Sequence, residues 1–380
     1  MSGSLLKKLN KVEITNPTVE ISVNGKKFEQ EGSMYCSYVR VDLSAGPEAA
    51  VCLIDLIDPY YLEDGEIHVN DKFKKITLGS KIEVSLGYSE DVGTVFSGYV
   101  YTKSTDIIGD VKGNKSVVRI KCMDSKIFMM QNKYTLQYKK ETSYSKVVKS
   151  VLARYKLLGS KVKIAGEKKF NKGFLLHQTY ASDYEFLAEL AEKTGCLFYS
   201  DSSGKINFTS PKNASNNKLS TLEFCNYVFD VKSAQNMMGI PASLEVSSLD
   251  KKDPTKLIKS TVKDSEKIGS GSDVSKSSKN MPSKSIISIV DNDAHSLSEA
   301  KFRAQAEYNL RELNLMQTVM KIKGCYYFEI GKKLKLKNFN GISDNEYIIT
   351  RVVHEYSAER RSYYTQLSLN ANRIKLDKSF

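Results

Sequence analysis

The segment His177–Tyr199, HQTYASDYEFLAELAEKTGCLFY, carries the clearest local signals in the middle of the chain. Ser182 and Glu185 have the Ser-x-x-Glu spacing of a helix capping box, in which each side chain accepts a hydrogen bond from a backbone N–H of the other residue. Gly195 is placed to end the helix in a left-handed turn. The sequence therefore predicts an amphipathic helix whose buried face carries Phe186, Leu187, Leu190 and Ala191.

The flanking sequence completes a small α/β domain, predicted at residues 126–212. Thr142 or Ser143 is placed to cap an earlier helix, and that helix carries apolar residues at helical spacing: Val147, Val148, Val151, Leu152 and Tyr155. After Gly195, the run CLFYSDSSGKINF predicts two short strands around an Asp-Ser-Ser-Gly turn. The helices are expected to pack on this small sheet.

Residues 1–125, on the N-terminal side, are typical of an antiparallel β-domain. Short runs such as VEISV, AAVCLIDLI and KIEVSLGY are rich in β-branched residues, and several alternate in polarity. Turn-forming pairs such as Asn24-Gly25 and Asp64-Gly65 separate the runs. Strands at this spacing predict a barrel or a sandwich.

A second strand-rich domain is predicted at residues 213–250 and 286–380. The polar segment 251–285 interrupts it and contains KIGSGSDVSKSSKN, a composition that predicts a flexible loop because it buries little apolar surface. A helix with Ser296 and Glu299 at capping-box spacing follows the loop. The predicted fold class is β-rich α+β, with a β-domain on each side of the α/β insert.

The formal net charge of +13 raises the question of nucleic-acid binding. Lysine far outnumbers arginine and is spread along the whole chain, whereas base-specific recognition usually depends on arginine. A solvated basic surface is the better interpretation. We expect no specific nucleic-acid site, no stable membrane insertion and no signal peptide, so the chain is expected to be made in the bacterial cytoplasm.

No sequence motif points to catalysis or to a bound cofactor. The six cysteines are scattered without metal-ligand spacing and are expected to be reduced and buried. His354-Glu355 lacks the second histidine of a zinc helix motif, and the run Asp291–His295 lacks the glycine and distal glutamate of a calcium loop. We therefore predict no catalytic residue, no metal site and no cofactor.

A basic stripe is predicted in the run GKKLKLK. In a strand, Lys333, Lys335 and Lys337 would share one face, and Leu334 and Leu336 the other. Two interpretations are open. The lysines either face solvent and discourage edge-to-edge pairing, which is the favoured one, or they face a channel or a partner protein.

In the segment that starts at Gln178 and ends at Gly195, the sequence resembles the VgrG and gene-D-type baseplate hub proteins of contractile injection systems. The resembling residues are Gln178, Ser182, Asp183, Glu185, Phe186, Leu187, Leu190 and Gly195. Ala181 stands where the family commonly has Glu, a departure that leaves the capping residues intact. Weaker likenesses follow in chain order along nearly the whole sequence: Ser97-Gly98, Lys121–Asp124, Leu244–Asp250, Tyr347–His354 and Tyr364–Leu369.

The resemblance implies a structural protein and not an enzyme. It implies two tube-like β-barrel domains per chain and a homotrimer that presents six barrels in a pseudo-six-fold ring. Such a ring would join a six-fold tail tube protein to a three-fold spike within the baseplate of a phage, a bacteriocin or another injection system, in contact with other baseplate proteins. Because the sequence ends at Phe380, soon after the last barrel strand, the spike is expected to be a separate protein.

Two other functions are alternatives to the structural hub. A cell-wall hydrolase is conceivable because tail machines cross an envelope, but the hub pattern already occupies the length of the chain. A basic nucleic-acid-binding protein is suggested by net charge alone.

Overall fold

The computed structural model describes residues 16–29, 34–64, 66–110, 113–139, 142–156, 160–167, 169–170, 176–214, 220–250, 253, 255–270, 285–339 and 344–374. Strands dominate these residues, and the longer helices lie in the middle of the chain and near residue 300. The prediction of a β-rich α+β fold is therefore confirmed.

The N-terminal β-half, residues 16–123, consists mainly of strands whose side chains alternate between the interior and the solvent. In Tyr35–Ser44, for example, Val39, Val41 and Leu43 are buried, and the residues between them are at least partly exposed. The elements of this half are β1 (Pro17–Val23), β2 (Lys26–Lys27), β3 (Tyr35–Ser44), β4 (Val51–Ile57), β5 (Tyr60–Glu63), β6 (Glu66–Val69), α1 (Asp71–Lys74), β7 (Lys81–Tyr88), β8 (Asp91–Asp110) and β9 (Gly113–Met123).

The insert, residues 126–214, packs two amphipathic helices against short strands around a hydrophobic core of its own. Val147 and Val151 from the first long helix meet Phe186 and Leu190 from the second in this core. The elements of the insert are α2 (Lys126–Met129), β10 (Lys133–Tyr138), α3 (Tyr144–Ala153), β11 (Lys161–Lys163), β12 (Leu176–Ser182), α4 (Asp183–Thr194), β13 (Leu197–Ser200), β14 (Ile206–Thr209) and α5 (Pro211–Ala214).

The C-terminal β-half, residues 220–374, returns to strands and contains the longest helix among the described residues. The elements of this half are β15 (Ser220–Glu223), β16 (Val228–Gln235), β17 (Ser243–Leu249), β18 (Leu257–Val262), β19 (Ile286–Val290), α6 (Leu297–Glu312), β20 (Met316–Lys323), β21 (Lys333–Lys337), β22 (Glu346–Ser357) and β23 (Ser362–Ala371). Ala300, Ala304 and Tyr308 of α6 are buried against β17 and β18.

The prediction of a flexible loop at 251–285 is wrong for the part that contains β18. This strand pairs antiparallel with β17, and the strand β19 pairs parallel with β17 on its other side. Ile258, Ser260 and Val262 are buried, while the residues between them are exposed. The polar average of the segment concealed this period-two pattern. Residues 271–284, which contain most of the Ser/Lys-rich run, lie outside the described residues.

Both β-halves contribute strands to one 13-stranded sheet. In the N-terminal β-half the neighbouring strands follow the order β1-β7-β8-β9-β4-β3, and in the C-terminal β-half the order β15-β21-β22-β23-β20-β16. β22 pairs antiparallel with β3 and joins the two sets, so that one hydrophobic cluster spans both halves. The sequence predicted two separate β-domains; the structure shows two similar strand sets that share a sheet.

Candidate functional site

The start of α4 has the cap geometry that the sequence predicted. The Ser182 hydroxyl accepts a hydrogen bond from the Glu185 N–H at 3.1 Å, and the Glu185 carboxylate accepts one from the Ser182 N–H at 2.7 Å. This bond to the backbone lowers the pKa of Glu185. At the other end, Gly195 is left-handed with φ +64°, and a Cβ there would lie 2.8 Å from the Ala306 backbone of α6. Glycine is therefore required both for the turn and for the close approach of the two helices.

Asp183 is the centre of a polar network at the start of α4. Its carboxylate is fully buried and accepts hydrogen bonds from Arg154 at 2.8 and 2.9 Å, Tyr155 at 2.7 Å and Gln178 at 2.9 Å. Tyr138 in turn donates to the side-chain oxygen of Gln178 at 2.8 Å. The network therefore cross-links α3, α4, β10 and β12, and its geometry serves folding of the insert.

The sequence pattern pointed to two of the network residues, Gln178 and Asp183, but not to Arg154. Arg154 directly follows α3 in the chain, and no local pattern showed that this end of α3 lies beside the start of α4. Burial, followed by the hydrogen bond to the Asp183 carboxylate, raises the pKa of the Tyr155 hydroxyl, which therefore stays protonated and donates. The apolar members of the predicted set, Phe186, Leu187 and Leu190, lie in the core of the insert.

A buried lysine, also missed in the sequence, ties the insert to the N-terminal β-half. The Lys126 ammonium donates to the backbone carbonyls of Pro47 at 3.1 Å, Glu48 at 2.9 Å and Phe198 at 2.9 Å. Burial lowers the pKa of Lys126 to about 8, and burial also raises the pKa of the nearby Asp124 carboxyl. Asp124 accepts from the N–H groups of Ala50 and Lys126, so it anchors the same junction.

The basic stripe lies on an interior strand of the sheet. β21 pairs parallel with β15 and antiparallel with β22, so the interpretation that its lysines protect a sheet edge is wrong. Leu334 and Leu336 are buried, Lys333 and Lys335 are half-buried, and Lys337 is exposed. Lys335 lies 3.6 Å from Glu346 of β22. The three lysines therefore lie on a partly exposed face of the sheet, where Glu346 partly neutralises the charge of Lys335.

His354 and the carboxylates of Asp291 and Asp293 have structural roles. His354 is buried, and its Nδ1 lies 2.9 Å from the Tyr363 hydroxyl and 3.1 Å from that of Thr365. Burial lowers the pKa of His354 to about 3, which keeps the ring neutral. Asp291 pairs with Arg303 at 2.6 Å, and Asp293 with Lys193 at 2.7 Å. Within the described ranges, no group of three or more His, Cys, Asp and Glu side chains is arranged to hold a metal ion.

Each β-half has a strand whose outer edge is open among the described residues. As far as the described residues show, β16 pairs only with β20, and β8 beyond Tyr99 pairs only with β9. Three apolar side chains in or just after β16 are exposed: Phe229, Met237 and Met238. An open strand edge offers unpaired backbone donors and acceptors to another chain. No helix in the described part of the chain is long and apolar enough to cross a bilayer.

The structure is similar to two solved tail proteins over nearly their whole length. One is the 43 kDa tail protein of prophage MuSo2 from Shewanella oneidensis, with 14% identity, a TM-score of 0.62, and coverage of 92% of this chain and 97% of that one. The other is a tail protein from Neisseria meningitidis MC58, with 12% identity, a TM-score of 0.64, and coverage of 94% and 97%. At these identities the likeness establishes a shared fold.

A third similar structure comes from a secretion machine. The c3393 protein of E. coli is described as a component of the type VI secretion system with structural similarity to the T4 bacteriophage tail proteins gp27 and gp5. It shares 10% identity with a TM-score of 0.54, covering 94% of this chain and 77% of that one. The tail-protein fold implied by the sequence resemblance is therefore confirmed.

No curated protein matches the sequence. A family model described as the Alg8 N-terminal domain matches residues 13–358, which is most of the chain. That description names a domain and states no activity, so the match assigns no reaction or substrate to this protein. The chain has the fold of phage tail proteins and belongs to the Alg8 N-terminal domain family.

Proposed function

We propose that the chain is a structural subunit of the baseplate hub of a contractile tail or injection machine, of the VgrG or gene-D type. The observation that carries this proposal is the strand order repeated in the two β-halves. Three copies of such a chain would present six similar units in a ring. A six-unit ring with three-fold symmetry is the adaptor needed between a six-fold tube and a three-fold spike.

The role is mechanical and not catalytic in this proposal. The buried polar groups Asp183, Lys126 and His354 hold helices, loops and strands together through their hydrogen bonds. The proposed partners are two further copies of the chain, a tail tube protein, a spike and other baseplate proteins. The lysine face of β21 is proposed to face the channel or one of these partners.

The location can be tested in particles isolated from a strain that expresses an epitope-tagged copy of the chain. Gold-labelled antibody is expected at the baseplate end of negatively stained tails. Label along the sheath, or tagged chain found only in the soluble fraction, would contradict a hub role. Light scattering of the purified chain is expected to give a mass three times the 42.7 kDa of one copy.

A further inference from the structure

Two pairs of β-bulges lie at matching positions in the two β-halves. The match is not complete among the described residues: β7·β8 has a further register shift that β21·β22 lacks, and β1·β7 is antiparallel whereas β15·β21 is parallel. Between β3 and β4 the register shifts at residues 36–38, and between β16 and β20 at residues 228–230. Between β8 and β9 it shifts at residues 100–102, and between β22 and β23 at residues 349–351. Since a bulge marks one position in a strand pair, these shifts align β3 with β16 and β8 with β22, residue by residue.

A backbone contact beside the second bulge supports the same alignment. The Gly79 N–H donates to the carbonyl of Val100 at 2.8 Å, and the Gly331 N–H donates to the carbonyl of Ile349, also at 2.8 Å. Both glycines are left-handed, with φ of +81° and +78°. The equivalent strands β8 and β22 are therefore held at equivalent points by equivalent turns.

Beyond this point β8 and β22 also differ in their neighbouring strands. In the C-terminal β-half, residues 351–357 of β22 pair antiparallel with residues 38–44 of β3. The equivalent residues of β8, from Thr102 onward, have β9 on one side and no strand on the other within the described part of the structure. β16, the equivalent of β3, likewise lacks a second neighbour there. One chain thus contains one complete junction, β22·β3. It also contains the two strands of a second junction, β8 and β16, which do not pair with each other in the single chain.

The register of the β22·β3 pair predicts the register that β8 and β16 would have if they paired. In β22·β3, Glu355 lies opposite Arg40. Counting from the bulges, Asp106 is the equivalent of Glu355, and Lys232 is the equivalent of Arg40. The second junction would therefore again place an acid opposite a base, and opposite charges directly across an antiparallel pair are stabilising. Both side chains are exposed in the single chain, Lys232 by 79%.

An exposed apolar residue falls at the end of the same register. Ala45, just after β3, is buried, and its N–H donates to the Thr350 carbonyl at 2.7 Å. Met237 is its equivalent after β16, and it is 39% exposed. Tyr101, the equivalent of Thr350, is 37% exposed. Pairing of the two edges would bring these two apolar side chains together, out of the solvent.

We propose that β16 of one copy pairs antiparallel with residues 102–106 of β8 in a second copy, with Lys232 opposite Asp106. Each chain offers one edge of each kind, so the contact is head-to-tail and repeats from copy to copy until the ring closes. The occupant of each open edge is thus a second copy of this chain. The inference rests on the proposed hub function and identifies the interface that would build the ring.

Disulfide trapping tests this register. In the variant Asp106→Cys/Lys232→Cys, mild oxidation is expected to give linked dimers and trimers on a non-reducing gel. The matched control is Arg40→Cys/Glu355→Cys, which has the same cross-strand geometry within one chain and is expected to link without a change in chain number. The variant Asp106→Cys/Ser233→Cys places the thiols on opposite faces and should link poorly. The unsubstituted chain gives the background, since five of its six cysteines are buried.

The outcomes separate the interface from the function. Linked oligomers in the first variant support the proposal. A trimer by light scattering that stays unlinked, while the intrachain control links, overturns the edge pairing and leaves the hub function standing. A monomer at every concentration, without links, contradicts both. In addition, Asp106→Lys is expected to raise the concentration needed for assembly roughly tenfold, and adding Lys232→Asp should restore it.

Discussion

The two β-halves have the same strand order, yet their equivalent strands β3 and β16 have different surroundings and different side chains. Leu43 of β3 is 2% exposed and lies opposite Val352 of β22, whereas its equivalent in β16, Gln235, is exposed. A junction made permanently within one chain can use leucine and valine. The open edge of β16 instead carries exposed polar side chains such as Lys232 and Gln235, beside the exposed Phe229. The comparison shows one backbone pattern in two kinds of surroundings.

The largest expected difference between the halves comes from shortening these equivalent side chains. Leu43→Ala leaves a cavity in the β22·β3 junction and is expected to lower the free energy of unfolding by about 2–5 kcal/mol. Gln235→Ala should change it by about 0.5 kcal/mol or less at concentrations where the chain is monomeric. Denaturant unfolding at one fixed protein concentration measures both. Equal losses would show that the two edges are equally covered in the single chain.

A pH effect of intermediate size is expected from His354, whose equivalent in the open half is Thr105. Burial lowers the pKa of His354 to about 3 in the folded chain, against about 6.5 when unfolded. Below pH 6.5 the unfolded state therefore binds a proton that the folded state does not. The free energy of unfolding consequently decreases as the pH is lowered. Linkage predicts a loss of about 2 kcal/mol between pH 7.5 and pH 5 from this residue.

The check is the slope of unfolding free energy against pH in His354→Gln. That slope should be shallower than in the parent chain between pH 6.5 and pH 5, whatever the variant's absolute stability. His177→Gln, at an exposed position, serves as the control. An unchanged slope in His354→Gln would mean that the histidine is not held neutral inside the junction.

The smallest expected effect concerns the charged rim of the made junction. Arg351 forms a bidentate ion pair with Asp42, with N–O distances of 2.8 and 2.7 Å, but the Arg351 side chain is 53% exposed. Solvent screening limits such a pair, and Arg351→Ala is expected to cost at most about 1 kcal/mol. Thr102→Ala, at the equivalent position of β8, should have an effect of about 0.5 kcal/mol or less in the monomer. Thermal unfolding at low and high salt compares them, and a large salt-independent loss in Arg351→Ala would contradict surface screening.

Local features of the fold were predictable because their signals are local. The capping box of Ser182 and Glu185, the terminating Gly195 and the buried leucines of β21 all follow from residues a few positions apart. The single sheet was not predictable, because Asp42 and Arg351, which meet in it, are 309 residues apart in sequence. The same is true of the site residues that were missed: Lys126 reaches Phe198, 72 residues away. Strand β18 was missed for a different reason, since its alternation is short and lies in a polar segment.

We infer that equivalent strands make equivalent junctions, once within the chain and once between copies. Electron cryomicroscopy of the purified assembly would show both junctions. We expect a three-fold ring in which β16 of each copy lies about 4.7–4.9 Å from β8 of its neighbour, antiparallel, with Lys232 opposite Asp106. A ring in which the outer edge of β16 faces solvent, or one closed through other surfaces, would contradict it.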